Sequence, residues 1–134
     1  MGDIYKIREF GYMQKSLDGL MERQNAVASN ITNVSTPGYK AKRVEFEKQL
    51  SVSMGQGIGM TQTDKNHLPN GSKGVYGMKP HYKVTLTGAR EDGNTVDLDK
   101  EMAINGENNI RYQMITQIFS EHLQEVLSAI KGEK

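Results

Sequence analysis

The chain has 134 residues, the size of one domain, and its apolar fraction of 36% lies below the range usual for globular proteins. Its 17 basic and 16 acidic residues nearly cancel, which argues against a dedicated nucleic-acid-binding protein. Cysteine is absent, so the sequence excludes a disulfide framework, a thiolate zinc site and a cysteine nucleophile.

The first twenty residues contain no uninterrupted apolar stretch and no small-residue cleavage site. No window of the sequence holds enough consecutive apolar residues to span a bilayer. If the protein leaves the cytoplasm, we expect it to do so without a cleaved secretory signal.

The first part of the chain, residues 1–34, has the spacing of a long helix. Gly11 and Gly19 each weaken an isolated helix by roughly 1 kcal/mol relative to alanine, so we expect this helix to depend on packing. Gln24 interrupts an apolar seam that otherwise steps by three and four. The apolar members of that seam are Phe10, Met13, Leu17, Leu20, Val27, Ile31 and Val34.

The stretch NITNVSTPGYKAKRVEFE, Asn30 to Glu47, contains the end of this helix. Pro37 pushes the preceding residue out of the helical region, and Gly38 tolerates a positive φ. The two residues therefore predict the central positions of a type II turn. Side chains that can bond free backbone groups at the helix end are Asn33, Ser35 and Thr36.

The middle part, residues 35–94, holds eight of the 14 glycines between Gly55 and Gly93, which predicts loops and turns. Its GQGIG stretch fits no phosphate-binding motif and predicts a flexible linker. The segment KRVEFEKQL, residues 42–50, can form a short helix, and HYKVTLTG, residues 81–88, alternates as a strand of a small hairpin or sheet does. A basic cluster predicts a solvated face, or contact with an acidic neighbouring subunit: Lys40, Lys42 and Arg43.

The third part, residues 95–134, predicts a second long helix. Asp97 is suited to the N-cap, and Lys131 and Gly132 provide a C-terminal stop. A stripe of mainly apolar residues again steps by four and three, widened by Ile115, Ile118 and Leu127. Its members are Leu98, Met102, Asn105, Asn109, Tyr112, Thr116, Phe119, Leu123, Val126 and Ile130.

Together these patterns predict a mainly α fold. Its long N- and C-terminal helices pair as an antiparallel, coiled-coil-like hairpin, and a small glycine-rich middle region contains a short β-hairpin or strand pair. Each helix carries more apolar surface than one partner helix can cover, which is typical of an assembling subunit. The residues predicted to serve helix packing and assembly are Phe10, Met13, Leu17, Leu20, Val27, Ile31, Met102, Tyr112, Ile115, Phe119, Leu123, Val126 and Ile130.

The segment Ala28 to Glu47 resembles the N-terminal signature of the flagellar basal-body rod protein family and its hook relatives, Asn-Ile-Ala-Asn followed by Thr-Pro-Gly-Tyr. Thr32 replaces the usual alanine. Two further segments, Met60 to Leu68 and Asn94 to Phe119, are similar to the proximal rod members, with Gly106 as a departure. The signature residues present are Asn30, Ile31, Asn33, Thr36, Pro37, Gly38 and Tyr39.

This resemblance implies a structural, non-enzymatic subunit of the proximal rod, the axle that crosses the periplasm in the flagellar basal body and transmits motor torque. It implies export by the flagellar type III apparatus without signal cleavage, and terminal helices that form the inner tube. The implied partners are copies of the chain, other rod subunits, a rod-base adaptor protein and the membrane ring. It implies no cofactor, nucleic acid or small-molecule substrate.

Two other classes of function compete with this one. A small helical-hairpin adaptor or chaperone of a secretion system would explain the helices but not the Thr-Pro-Gly-Tyr corner. An enzyme finds no support, because no nucleophile and base stand out as a pair. The three histidines lack tight metal-ligand spacing and predict polar surface or turn positions, with His67 a structural hydrogen-bonding group: His67, His81 and His122. We therefore expect no catalytic, cofactor-binding or metal site.

Overall fold

The computed structural model describes residues 2–55, 81–86 and 88–132. Helix α1 spans Gly2–Thr32, strand β1 Lys42–Glu45, helix α2 Glu47–Gly55, strand β2 His81–Val84 and helix α3 Leu98–Lys131. The predicted mainly α fold with a small central strand pair is confirmed. The segment 60–68, with His67, and residues 56–59 of the predicted linker lie outside the described residues.

The two long helices pair in opposite directions. Near the corner, Gln24 of α1 donates a hydrogen bond to Asn105 of α3 at 2.7 Å. Towards the chain ends, the rings of Phe10 and Phe119 meet edge to face with their centroids 5.3 Å apart. Residue numbers rise along one helix as they fall along the other, so the helices form the predicted antiparallel hairpin.

The ends of α3 follow the signals in the sequence. The Asp97 side chain accepts a hydrogen bond from the Lys100 backbone amide, as an N-cap residue does. At the other end Gly132 adopts a left-handed φ of 70° and ends the helix. Gly106, the departure from the family pattern, lies within α3 without interrupting it.

The segment predicted as a short helix divides into two elements. Residues 42–45 form β1, which pairs antiparallel with β2 in a register that sets Lys42 opposite Val84 and Glu45 opposite His81. The helix prediction is wrong for these four residues, because pairing with a strand 39 positions later overrides the local helical spacing. The remainder of the segment lies in α2, which begins at Glu47.

The core lies where β1 and the residue after it pack against α1. Leu20 and Ala26 of α1 are buried with Val44 of β1 and Phe46, and Ile115 of α3 packs against this cluster. Phe46 lies directly on the helix backbone, since a Cβ at position 19 would be 2.5 Å from its ring carbons. Gly19 therefore gives the aromatic ring room to pack.

Arg23 connects the Phe46 ring of the core with the Glu47 carboxylate. Its guanidinium lies over the Phe46 ring, 4.9 Å from the centroid, and forms an ion pair with Glu47 at 2.6 Å. It also donates to the Val44 carbonyl at 3.1 Å. Partial burial by itself would raise the pKa of Glu47, but the hydrogen bond and charge of Arg23, together with hydrogen bonds from the backbone amides of Phe46 and Glu47, outweigh it and lower that pKa.

Two substitutions of a helical glycine by alanine test the packing of Phe46. Gly19→Ala gains about 1 kcal/mol of helix propensity but overpacks the ring contact, which costs about 1–3 kcal/mol, so we expect lower stability. Gly106→Ala meets nothing within 4 Å and should raise stability by about 1 kcal/mol. Denaturant unfolding measures both free energies. An equal gain in the two variants would contradict the close approach.

The pH dependence of stability tests the Arg23–Glu47 pair. Because the folded pKa of Glu47 lies below its ordinary value of 4.5, its contribution is complete above that pH and is lost as pH falls through the folded pKa. Glu47→Gln should therefore flatten the fall in unfolding free energy below about pH 5. Glu45→Gln, a matched change at an exposed carboxylate, should leave that fall in place.

Candidate assembly site

The corner after α1 is the predicted type II turn. The Tyr39 amide donates to the Thr36 carbonyl at 3.3 Å, and Gly38, at the third turn position, has a φ of 72°. Thr36, Pro37 and Gly38 are exposed on its outer surface. The turn is therefore held by its own backbone geometry and by the residues on either side of it.

Asn30 is fully buried and joins the last turns of α1 to β1. Its side-chain amide donates to the Lys42 carbonyl at 2.8 Å and accepts from the Lys42 amide at 2.9 Å. One asparagine side chain thus occupies both backbone groups of Lys42, as a neighbouring strand would. Tyr39 donates its hydroxyl to the same Asn30 oxygen at 3.3 Å, and that hydroxyl lies 3.0 Å from the Ser29 hydroxyl.

Asn33 binds the end of α1 from within the corner. Its side-chain amide donates to the Ser29 carbonyl at 2.8 Å, and its side-chain oxygen accepts from the Thr36 hydroxyl at 3.2 Å. The prediction that Asn33 bonds the helix end is confirmed. The Thr36 hydroxyl bonds the Asn33 side chain in this contact, and not a backbone group.

Asn94, which sequence reasoning did not single out, binds the corner from the segment just before α3. This buried side chain donates to three carbonyls, those of Asn33 at 2.9 Å, Val34 at 3.1 Å and Thr36 at 2.9 Å. Its oxygen accepts from the Val96 amide at 2.7 Å. The only sequence signal was an asparagine just before a helix start, which by itself predicts a local turn.

Thr95 adds the strand pair to the same junction. Its hydroxyl accepts from the Ala41 amide at 2.8 Å and donates to the Thr85 carbonyl at 3.1 Å. Its own backbone amide donates to the Tyr39 carbonyl at 3.0 Å. The buried segment 94–96 therefore contacts the end of α1, the approach to β1 and the residue after β2.

The polar groups between α1 and α3 occupy different positions from those that the sequence pattern indicated. Asn108, and not Asn109, is buried, and its amide donates to the Leu20 carbonyl at 3.0 Å and to Gln24 at 2.9 Å. One turn back from Asn105, the fully buried Glu101 carboxylate pairs with Arg43 of β1 at 2.5 Å. This half of the hairpin interface is therefore joined by hydrogen bonds.

The apolar stripe of α3 is rotated from the face that meets α1. At 3.6 residues per turn, the stripe predicted from Leu98 to Ile130 is centred about 60° from the stripe that carries Glu101 and Asn108. Half of it is therefore uncovered. The exposed apolar residues of α3 are Leu98, Met102, Ile110, Tyr112, Met114, Ile118, Leu123, Leu127 and Ile130.

The residues predicted to serve packing and assembly differ in solvent exposure, and some are buried, some partly buried and some exposed. Leu20 and Val27 are buried in the described structure. Met102, Tyr112, Leu123 and Ile130 are exposed. The partly buried members are Phe10, Met13, Leu17, Ile31, Ile115, Phe119 and Val126.

The basic cluster and the histidines have ordinary surroundings. Lys40 donates to the Gly93 carbonyl at 2.6 Å and Arg43 pairs with Glu101, which leaves Lys42 exposed. His81 is exposed on β2, and His122 lies 3.8 Å from Glu125. Within residues 2–55, 81–86 and 88–132, no cluster of three potential metal ligands occurs. None of the helices in these ranges has the length and hydropathy of a transmembrane span.

Replacing Asn30 with leucine tests its bonds to β1. Asn30→Leu keeps the side-chain volume but leaves the amide and carbonyl of Lys42 unpaired, which should lower the free energy of unfolding by about 2–5 kcal/mol. The matched variant Asn25→Leu changes an exposed asparagine of the same helix and should shift it by less than about 0.5 kcal/mol. Similar values for both variants would show that the buried amide contributes little.

Comparison with known proteins relates this geometry to one family. A family model described as "Flagella basal body rod protein" matches residues 20–40, the end of α1 and the corner. The chain is 31% identical over 130 residues to the flagellar basal body rod protein FlgB of Aeromonas hydrophila, covering 95% of this chain and 96% of that protein. It is 34% identical over 111 residues to FlgB of Cereibacter sphaeroides, covering 83% and 84%.

FlgB of Salmonella typhimurium is 29% identical over 127 residues, which cover 90% of this chain and 91% of that protein. The three alignments cover between 83% and 95% of this chain. The corner signature and the full-length similarity together show that this chain belongs to the FlgB family of flagellar basal body rod proteins.

Proposed function

We propose that this chain builds the proximal rod by packing α1 and α3 against the same helices of neighbouring subunits. It is a structural component of the flagellar basal body rod, as its family is. The observation that carries the packing proposal is the apolar surface of α3, which its own α1 leaves exposed.

Helix α3 exposes more large apolar side chains than expected of a helix that packs only against other parts of its own chain. Nine large apolar residues of α3 are at least 40% exposed, and Ile130 reaches 76%. Each large side chain removed from water contributes about 1.5–3 kcal/mol, so covering even part of this face would favour association. Exposed apolar surface of this extent marks protein interaction sites.

The polar half of the hairpin complements this surface. Hydrogen bonds donated by Gln24 and Asn108 connect α1 with α3, and the Glu101 carboxylate accepts from Arg43, which connects α3 with β1. Polar groups at helix interfaces restrict register, because a shifted pairing would leave them buried without partners. A subunit built this way has a defined hairpin and keeps apolar side chains for its neighbours.

The family places the chain in the basal body among other basal body components. Our more specific proposal is that its neighbours are copies of itself, other rod subunits, the rod-base adaptor protein and the membrane ring, after export by the flagellar type III apparatus. Residues 1–34 and 95–134 would form the tube, and residues 35–94 its outer part. The chain would transmit torque without catalysing a reaction.

The alternative of a small adaptor or chaperone of a secretion system is not favoured. It would explain a helical hairpin, but the similarity to rod proteins extends over almost the full length of the chain. The corner residues that an adaptor would not need are also those that the rod family model matches.

A charge placed on the exposed face of α3 tests the packing proposal. Leu127, 54% exposed, should tolerate Leu127→Glu in the free chain, so thermal unfolding should change little. In a strain that carries only this variant, we expect loss of the chain from purified basal bodies and loss of motility, because assembly would bury an unpaired carboxylate. Gln124→Glu, the same charge change at an exposed polar position one turn away, is the control. Normal motility with Leu127→Glu would contradict the proposal.

A further inference from the structure

We propose that Asn94 and Thr95 are positioning residues for assembly, which fix the angle between the helical hairpin and the strand pair. The proposal rests on the proposed function, since it concerns how a subunit presents its helices to neighbours. It extends the site from the corner after α1 to a second segment, 94–96, that lies just before α3.

The geometry of Asn94 is that of a clamp on the end of α1. A helix C-terminus leaves carbonyl groups without helical partners, and a buried one needs donors from elsewhere. Asn94 supplies its amide to the carbonyls of Asn33, Val34 and Thr36. Because α3 begins only four residues after Asn94, this contact links the end of one assembly helix directly to the start of the other.

Thr95 fixes the third element. Its hydroxyl bridges the Ala41 amide and the Thr85 carbonyl, the residues that precede β1 and follow β2. The Thr85 amide in turn donates to the Ala41 carbonyl at 2.8 Å, which continues the strand ladder to this point. The strand pair is therefore connected through Thr95 to the same three-residue segment that holds α1 against α3.

The neighbouring loop strengthens the junction without entering the core. The Gly38 amide donates to the Asp92 carbonyl at 2.8 Å, and Arg90 donates to the Val34 carbonyl. Gly93 has a φ of 78°, and a Cβ placed on it would lie 3.6 Å from the Cα of Gly38. The two turns thus pack backbone to backbone, and a small change at position 94 would alter their relative placement.

Distance measurements on labelled variants separate positioning from stability. Because the chain has no cysteine, two introduced cysteines carry two spin labels without interference. One pair spans the hairpin body between α1 and α3, Gln14→Cys with Gln117→Cys. The second spans the junction between β2 and α3, Lys83→Cys with Ala103→Cys. All four sites are exposed.

The test substitution is Asn94→Asp, which replaces the donor amide by a carboxylate facing three carbonyls. We expect the junction distance to shift or broaden, the body distance to stay unchanged, and the variant to be lost from purified basal bodies. Asn25→Asp, the same change at an exposed site of α1, should leave both distances unchanged. Equal broadening of both distances, or normal incorporation of Asn94→Asp, would overturn the proposal.

A second pair of variants decides the question if Asn94→Asp does not fold. Thr95→Val keeps the side-chain shape and removes the hydroxyl, so we expect a changed junction distance and lost incorporation; Thr95→Ser should restore both. Failure of Thr95→Ser to restore them would count against the bridge. Absence of the unsubstituted chain from basal bodies would refute the proposed function instead, and the label distances would then decide the junction role alone.

Discussion

Buried amide groups that stand in for backbone partners are the constraint on which the rest of this fold depends. Asn30 satisfies both backbone groups of Lys42, and Asn94 binds three carbonyls at the end of α1. Each hydrogen bond contributes only about 0.5–1.5 kcal/mol, but an unpaired buried backbone group costs about 1–3 kcal/mol. The buried side chains of these two asparagines therefore hold the end of the long helix against β1 and against the segment that precedes α3.

The same preference for hydrogen bonds continues along the hairpin. Near the corner, α1 and α3 meet through Gln24, Asn105 and Asn108, whereas towards the chain ends they meet through Phe10 and Phe119. The polar half specifies which residues face each other, and the apolar half contributes burial. Large apolar side chains are left on the outside of α3, which is the arrangement expected of a subunit and not of a self-contained domain.

Sequence patterns predicted those features of the fold that depend on neighbouring residues. The two long helices, the Asp97 cap, the Gly132 stop and the Pro37-Gly38 turn all follow from local spacing and backbone preference. The pattern also indicated an apolar stripe on α3, but it could not show which side of that stripe faces α1. That face carries Glu101 and Asn108, whose partners come from elements far away in the sequence.

Long-range partners explain the other differences. Residues 42–45 have helical spacing, yet pairing with β2 makes them a strand. Gly19 was notable only for weakening a helix, and its value for packing depends on a ring 27 positions later. Asn94 carried only the signal of a local turn, because its main partners are carbonyls at the end of a helix some 60 residues earlier, and the partners of Thr95 are likewise distant in the sequence. The corner itself was recognisable because the residues that determine the turn, Pro37 and Gly38, are consecutive in the sequence.

The closure of one edge of β1 has a consequence for how sheets could extend between molecules. Asn30 covers the outward backbone groups of Lys42, and Arg23 covers the Val44 carbonyl, so a foreign strand cannot add along that side. Each strand of the two-stranded sheet has one edge without a paired strand, and among the described residues only the edge of β2 lacks such side-chain bonds to its backbone. Two molecules that joined there would use up both available edges at once. The sheet would stop at a closed pair of copies, and an open-ended fibre could not grow through it.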